Sequence, residues 1–152
     1  MSEDTAGGTY TLLAELAEPA TVEVGALGAV DFDAGWYAYV GSALGSGGFS
    51  RVQRHRELAA GERETRHWHI DYLLGHPAAT LDAIVASTGT DVECAVARGL
   101  ADAGLAAVDG FGCSDCGCDT HLAHAPARRP LVTAVARVHR HAAGGRERKQ
   151  GG

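Results

Sequence analysis

The chain has 152 residues, 45% of them hydrophobic, enough for one domain with a single core. No run approaches the roughly 18 apolar residues of a membrane span, and the acidic opening MSEDTAGG lacks the apolar stretch of a signal peptide. The expected setting is therefore the cytoplasm, with no membrane partner. There the four cysteines stay reduced, which makes disulfides the weaker explanation for them. The net charge of −6 is unevenly spread. Residues 1–50 hold no Lys or Arg, whereas 51–66 hold five arginines and 128–149 hold seven basic residues against Glu147 alone. A basic face that meets a polyanion is thus compatible with an acidic protein.

Along the chain, GTYTLLAEL (8–16) alternates and is rich in strand formers, with Tyr10, Leu12, Ala14 and Leu16 on one face. The pattern continues to residue 35, where Pro19, Gly25 and Gly28 mark turns or a short extra hairpin. WYAYVG (36–41) reads as a strand with Tyr37 and Tyr39 on one face and Trp36, Ala38 and Val40 on the other. GGFSRVQRHRELAAG reads as a helix begun near Ser46–Ser50 and stopped by Gly61. HWHIDYLLG is a short helix or turn, TLDAIVAS (80–87) a strand, and TDVECAVARGLADAG a helix with Val92, Val96 and Leu100 as its buried stripe. PLVTAVARVHRHAA fits strand or helix. The order β-β-β-α-α-β-α-β describes an α/β (α+β) fold, a small central antiparallel sheet flanked by helices. One domain is expected over 8–142, with disordered ends at 1–7 and 143–152.

The chemistry-bearing residues begin where the aromatic strand ends. Tyr10 and Tyr39 lie on strands able to pair as neighbours. Gly41 and the loop SALGSGG permit a tight turn with little side-chain obstruction. Arg51 and His55 then sit at i and i+4 on one helix face. An arginine so placed can fork onto a phosphate, and histidine and tyrosine can move protons near neutral pH. The bland alternative is two core aromatics followed by a surface helix. Glu93 lies at the border of its helix's apolar stripe, where a carboxylate suits Mg²⁺ or Mn²⁺, although such a residue is often only solvated.

GTY (8–10), YVG (39–41), Arg51 with His55, and a helical Glu93 resemble the ordered motifs of the GIY-YIG nuclease superfamily. HWHIDYLL (67–74) and GFGCSDCGCDTHL (110–122) resemble its Uri-type endonuclease branch, found largely in archaea. The similarity covers about residues 7 to 125. It implies metal-dependent phosphodiester hydrolysis on a small antiparallel sheet. On this resemblance Tyr10 is the general base or water-positioning group and Tyr39 supports the site. Arg51 stabilises phosphate charge, His55 assists proton transfer and Glu93 holds the metal. Gly41, Ser42, Arg54, Arg56, His67 and His69 would face the substrate. Two departures stand out. The stretch from Tyr10 to Tyr39 is long for the superfamily, which implies an inserted hairpin. The late asparagine of many members is also absent, leaving Ser114, Asp115 or His121 as stand-ins.

Two segments keep alternatives open. Cys113, Cys116, Cys118 and His121 mix thiolates with imidazole as a structural Zn²⁺ site does, yet the spacing is cramped, and reduced, partly buried cysteines explain it too. The resemblance favours Cys116, Cys118 and His121 over Cys113. As a strand, HWHIDYLL would align His67, His69 and Asp71. As a helix it aligns only His67 and Asp71, and Leu73-Leu74 before Gly-His-Pro favour the helix. The leading expectation is an endonuclease acting on DNA, branched, flapped or damaged, with RNA not excluded. A catalytically inactive nucleic-acid-binding module with a zinc knuckle is the alternative. A zinc hydrolase of another substrate has the weakest support, since no motif orients a catalytic water.

Overall fold

The computed structural model describes residues 8–42, 50–62, 69–88, 93–103, 105–108 and 121–151, without the side chains of Ala26, Ser42, Ser50, Arg51, His69, Ser87, Thr88, Glu93, Cys94, Ala107 and residues 142–151. Four strands come first: β1 (Gly8–Leu16), β2 (Ala20–Glu23), β3 (Ala29–Phe32) and β4 (Gly35–Ser42). Helices α1 (Ser50–Ala59) and α2 (His69–Leu74) follow, then β5 (Ala79–Thr88) and α3 (Glu93–Asp102). Two short strands, β6 (Ala106–Ala107) and β7 (Leu122–Ala125), precede α4 (Arg128–Gly151). The main sheet runs β5-β1-β4-β7-β6, antiparallel at every pairing. β2 and β3 form a separate hairpin, in the stretch where an insertion was expected.

β1 is buried along nearly its whole length, both faces included. Its alternation predicts one covered face, but a central strand is covered on both. Tyr10, Leu12, Ala14 and Leu16 pack with Leu58 of α1, Ile70, Leu73 and Leu74 of α2, and Val24 and Phe32 of the hairpin region. Leu13 turns the other way, with Ala38 and Val40 of β4, against Val96 and Leu100 of α3 and Leu131 and Val135 of α4. Each fully buried Leu of this kind contributes about 1.5–3 kcal/mol relative to exposure. The sheet thus separates two cores, and the tyrosines of β1 and β4 belong to the α1/α2 side.

β5 forms one edge of the sheet. Its register against β1 shifts between Leu13 and Ala14, so that Asp82 has no Cα partner across the pair. A bulge and a charge both discourage strand addition at an edge. Asp82 accepts two hydrogen bonds from Arg128, at 3.1 and 2.9 Å, and the guanidinium lies 5.7 Å from the Trp36 ring centroid.

The segment that reads as strand or helix is helical. Leu131, Val135 and His139 are all buried, one turn apart each. α4 also continues to Gly151, through the residues whose composition predicts a disordered tail. Once packing has fixed its first turns, each added residue gains a hydrogen bond without a new nucleation cost, and Arg146, Glu147, Arg148, Lys149 and Gln150 are good helix formers. α3 and α4 approach closely at Gly99, where a Cβ would lie 2.6 Å from Val138 Cγ1. No helix among the described residues is long and apolar enough to cross a membrane.

Candidate functional site

Strand register builds the site. Tyr10 lies opposite Gly41 and Leu12 opposite Tyr39, so the two tyrosines share the α1/α2 face, diagonally across the pair. Gly41 is the residue that lets the Tyr10 ring lie flat across β4. A Cβ there would come within 2.5 Å of both Tyr10 Cζ and its hydroxyl oxygen. The glycine is needed here for space.

α1 brings His55 under this ring. Its buried face carries Leu58 and His55, three residues apart and therefore neighbours on the helix. The Tyr10 hydroxyl and His55 Nε2 are 2.9 Å apart, in a buried hydrogen bond. Their ring centroids are 5.6 Å apart and tilted at 51°. Tyr39 meets the same imidazole edge-on, at 6.5 Å and 67°.

Asp71 of α2 lies behind the imidazole. Its Oδ1 is 3.7 Å from His55 Nδ1, and its Oδ2 accepts a hydrogen bond from Arg54 at 3.1 Å. The Asp71 side chain is 0% exposed and Arg54 13%. A carboxylate taken wholly out of water costs several kcal/mol unless compensated, and the adjacent guanidinium offers that compensation. Arg54 is therefore engaged with Asp71. Arg56, two residues on, is exposed and lines an open cleft of about 390 Å³ between α1 and β5.

The cluster sits at a particular end of the sheet. Gly8 pairs with Thr88, and Thr9 with both Ser42 and Ser87, so β4 and β5 both finish where β1 starts. From that end the chain passes to α1, with Arg51 in its first turn, and to α3, which Glu93 opens. Ser42 closes β4 and His69 opens α2. His67, Cys113, Cys116 and Cys118 lie outside the described residues. His121 is buried at 3% exposure, and its carbonyl accepts a hydrogen bond from Val40 N–H at 2.9 Å. With Ala97, Leu100 and Ala101 of α3 it lines one small cavity.

Among the described residues no group of three or more His, Cys, Asp or Glu is gathered. A magnesium-like ion does not need one, because it binds through one or two carboxylates and completes its shell with waters and substrate phosphate. An oxygen donor at Glu93 fits that chemistry. Of the zinc set, only His121 is among the described residues.

Two further buried groups escaped the sequence reading. On the opposite sheet face, Thr11 Oγ1 and His139 Nε2 are 2.6 Å apart, and burial lowers the His139 pKa to about 4. Tyr37 donates to the Asp33 carbonyl at 2.6 Å. Burial, with the Asp33 charge, raises its pKa to about 12 against the opposing pull of that hydrogen bond. Tyr37 therefore stays a neutral donor, although it shares a strand face with Tyr39. Asp71 did have a signal, a carboxylate set among Ile70, Leu73 and Leu74 on one short helix.

No curated protein and no solved structure matches the chain. A family model described as a domain of unknown function, DUF123, matches residues 9–144, a span containing Tyr10, Tyr39, His55, Asp71 and Glu93, and the chain belongs to that family.

Proposed function

We propose that the protein is a metal-dependent endonuclease of the GIY-YIG kind, Uri-type, hydrolysing phosphodiester bonds in DNA. The observation that carries this reading is the 2.9 Å contact between Tyr10 and His55, which are 45 residues apart in sequence. Two proton-exchanging groups meet beside Tyr39, over a glycine that leaves room for them. They do so at the sheet end where β4 and β5 finish, the strands that precede in sequence the helices carrying Arg51 and Glu93. In the proposed reaction the attacking water gives its proton to the Tyr10 oxygen as the Tyr10 proton passes to His55 Nε2. The water oxygen bonds to phosphorus, while the departing sugar oxygen leaves and takes a proton from solvent. Arg51 forks onto the phosphate and offsets its charge. Glu93 would hold a divalent cation, which when bound would supply Lewis-acid polarisation of the phosphoryl oxygen or the leaving group.

DNA as partner is supported by the charge distribution. Arg129, Arg137 and Arg140 are exposed along α4, a helix that packs on the sheet face opposite Tyr10. These arginines suit phosphates remote from the scissile bond. Branched, flapped or damaged DNA is the favoured substrate class, with RNA the competing one.

Tyr10→Phe tests the reading, because it keeps the ring and removes only the hydroxyl. Cleavage should fall by about 10²-fold or more, the scale of general acid–base catalysis, while DNA binding is retained. Undiminished cleavage would remove Tyr10 from the chemistry. The burial of the pair, with Tyr10 3% and His55 1% exposed, favours one competing reading. That reading is a nucleic-acid-binding module whose buried network only holds the fold. Such a module binds DNA with a steep salt dependence and cuts under no metal condition.

A further inference from the structure

The sequence resemblance assigns Asp71 no part in the chemistry, yet it has a distinctive placement. It is the only carboxylate among the buried residues described. Its two oxygens are divided between consecutive residues of α1: Oδ2 meets the Arg54 guanidinium at 3.1 Å and Oδ1 faces His55 Nδ1 at 3.7 Å. Consecutive helical residues point about 100° apart, yet this one carboxylate reaches both. Were packing the only requirement, an apolar residue of similar volume would often serve as well or better than a buried ion pair.

We infer that Asp71 is a positioning residue for His55, an inference that rests on the proposed nuclease reading. The carboxylate, held in place by Arg54, favours the His55 ring proton on Nδ1, the nitrogen that faces it. Nε2 is thereby left bare to accept the Tyr10 proton. The opposite tautomer would point an N–H at the Tyr10 hydroxyl and leave a bare nitrogen lone pair facing a carboxylate. When Nε2 takes the Tyr10 proton the ring becomes a cation, and Asp71, still ionised, stabilises it. No proton moves to Asp71. The general logic is that the group behind a histidine decides which nitrogen does the work.

The inference is tested by the ring-nitrogen NMR spectrum of the full chain labelled with ¹⁵N-histidine, recorded with the His55 ring neutral and assigned through His55→Gln. The wild type should show His55 protonated on Nδ1 and bare on Nε2. A ring protonated on Nε2 overturns the inference, and this result needs no Asp71 variant to fold. Asp71→Asn should move the proton toward Nε2 and lower kcat by about 10²-fold with KM changed less than about twofold. It should cost nothing further in a His55→Ala background, since residues acting as a unit are non-additive. An unchanged tautomer in Asp71→Asn, or losses that multiply with His55→Ala, contradicts a positioning role. If the wild type cuts no nucleic acid, the nuclease reading fails separately, and the tautomer still decides what Asp71 does.

Discussion

Gly41→Ala gives the sharpest test of how the site is packed. Alanine is ordinarily preferred over glycine within a strand by about 0.5–1 kcal/mol, so propensity alone expects a small stabilisation. The structure expects the reverse. The added methyl would come 2.5 Å from Tyr10 Cζ and hydroxyl oxygen and 2.9 Å from Cε1, inside van der Waals contact. The ring cannot simply swing aside, because Tyr10 is 3% exposed and is bonded to His55. Overpacking of this kind costs about 1–3 kcal/mol, and displacing the hydroxyl from His55 adds about 1 kcal/mol for a lost buried hydrogen bond. A net loss of about 2–3 kcal/mol would lower Tm by roughly 5–10 °C in a domain of this size. The assay is urea unfolding of the wild type, Gly41→Ala, Tyr10→Ala and the double variant. With the ring gone, Gly41→Ala should turn neutral or stabilising, a change of sign that isolates the contact. A Gly41→Ala effect that is stabilising in the wild type, or equal in both backgrounds, would refute the reasoning.

Other expected outcomes follow from single contacts. His139 titrates at about 4 in the fold against about 6.5 when unfolded. Both states are neutral there above pH 6.5. As pH falls from 6.5 to 4 the unfolded chain takes up the proton first, so the fold loses up to roughly 3 kcal/mol. His139→Gln should show a flatter fall in Tm across that window, and an identical slope would contradict the buried neutral ring. Arg54→Ala removes a charged partner of the buried Asp71 carboxylate and should cost about 3 kcal/mol in urea unfolding, whereas a loss below about 0.5 kcal/mol would mean that other groups compensate Asp71. Replacing Arg129, Arg137 and Arg140 by Gln should reduce the slope of log K against log salt for DNA by up to about 0.9 per lost phosphate contact. An unaltered slope would clear α4 of phosphate binding.

The legible parts of this fold were those where local pattern and tertiary role agree. Tyr37 and Tyr39 against Ala38 and Val40 divide between two cores as alternation expects. The turn residues between Tyr10 and Tyr39 do enclose a hairpin. α4 was ambiguous because Val132, Thr133, Val135 and Val138 favour strands while their spacing also fits a helix. Docking on the sheet decided the matter, and a histidine in the apolar stripe had blurred the period. β6 has two residues, too few to carry a pattern. Within the site, Tyr10, Tyr39 and His55 were readable from their spacing and resemblance. For Asp71 the sequence shows only an alignment with His67 and His69, since nothing local says that a carboxylate on α2 will meet α1. The pairing of Thr11 with His139 spans 128 residues, beyond any local periodicity.

The central claim is metal-dependent cleavage, and one experiment addresses it directly. Labelled single-stranded, duplex, flap and branched DNAs, with a matched RNA, would be incubated with the protein in EDTA, Mg²⁺ or Mn²⁺, alongside Glu93→Ala. The account expects cutting with Mg²⁺ or Mn²⁺ that EDTA abolishes and that Glu93→Ala loses while still folding and binding. Binding without cutting under every metal condition, or cutting that survives Glu93→Ala undiminished, would contradict it.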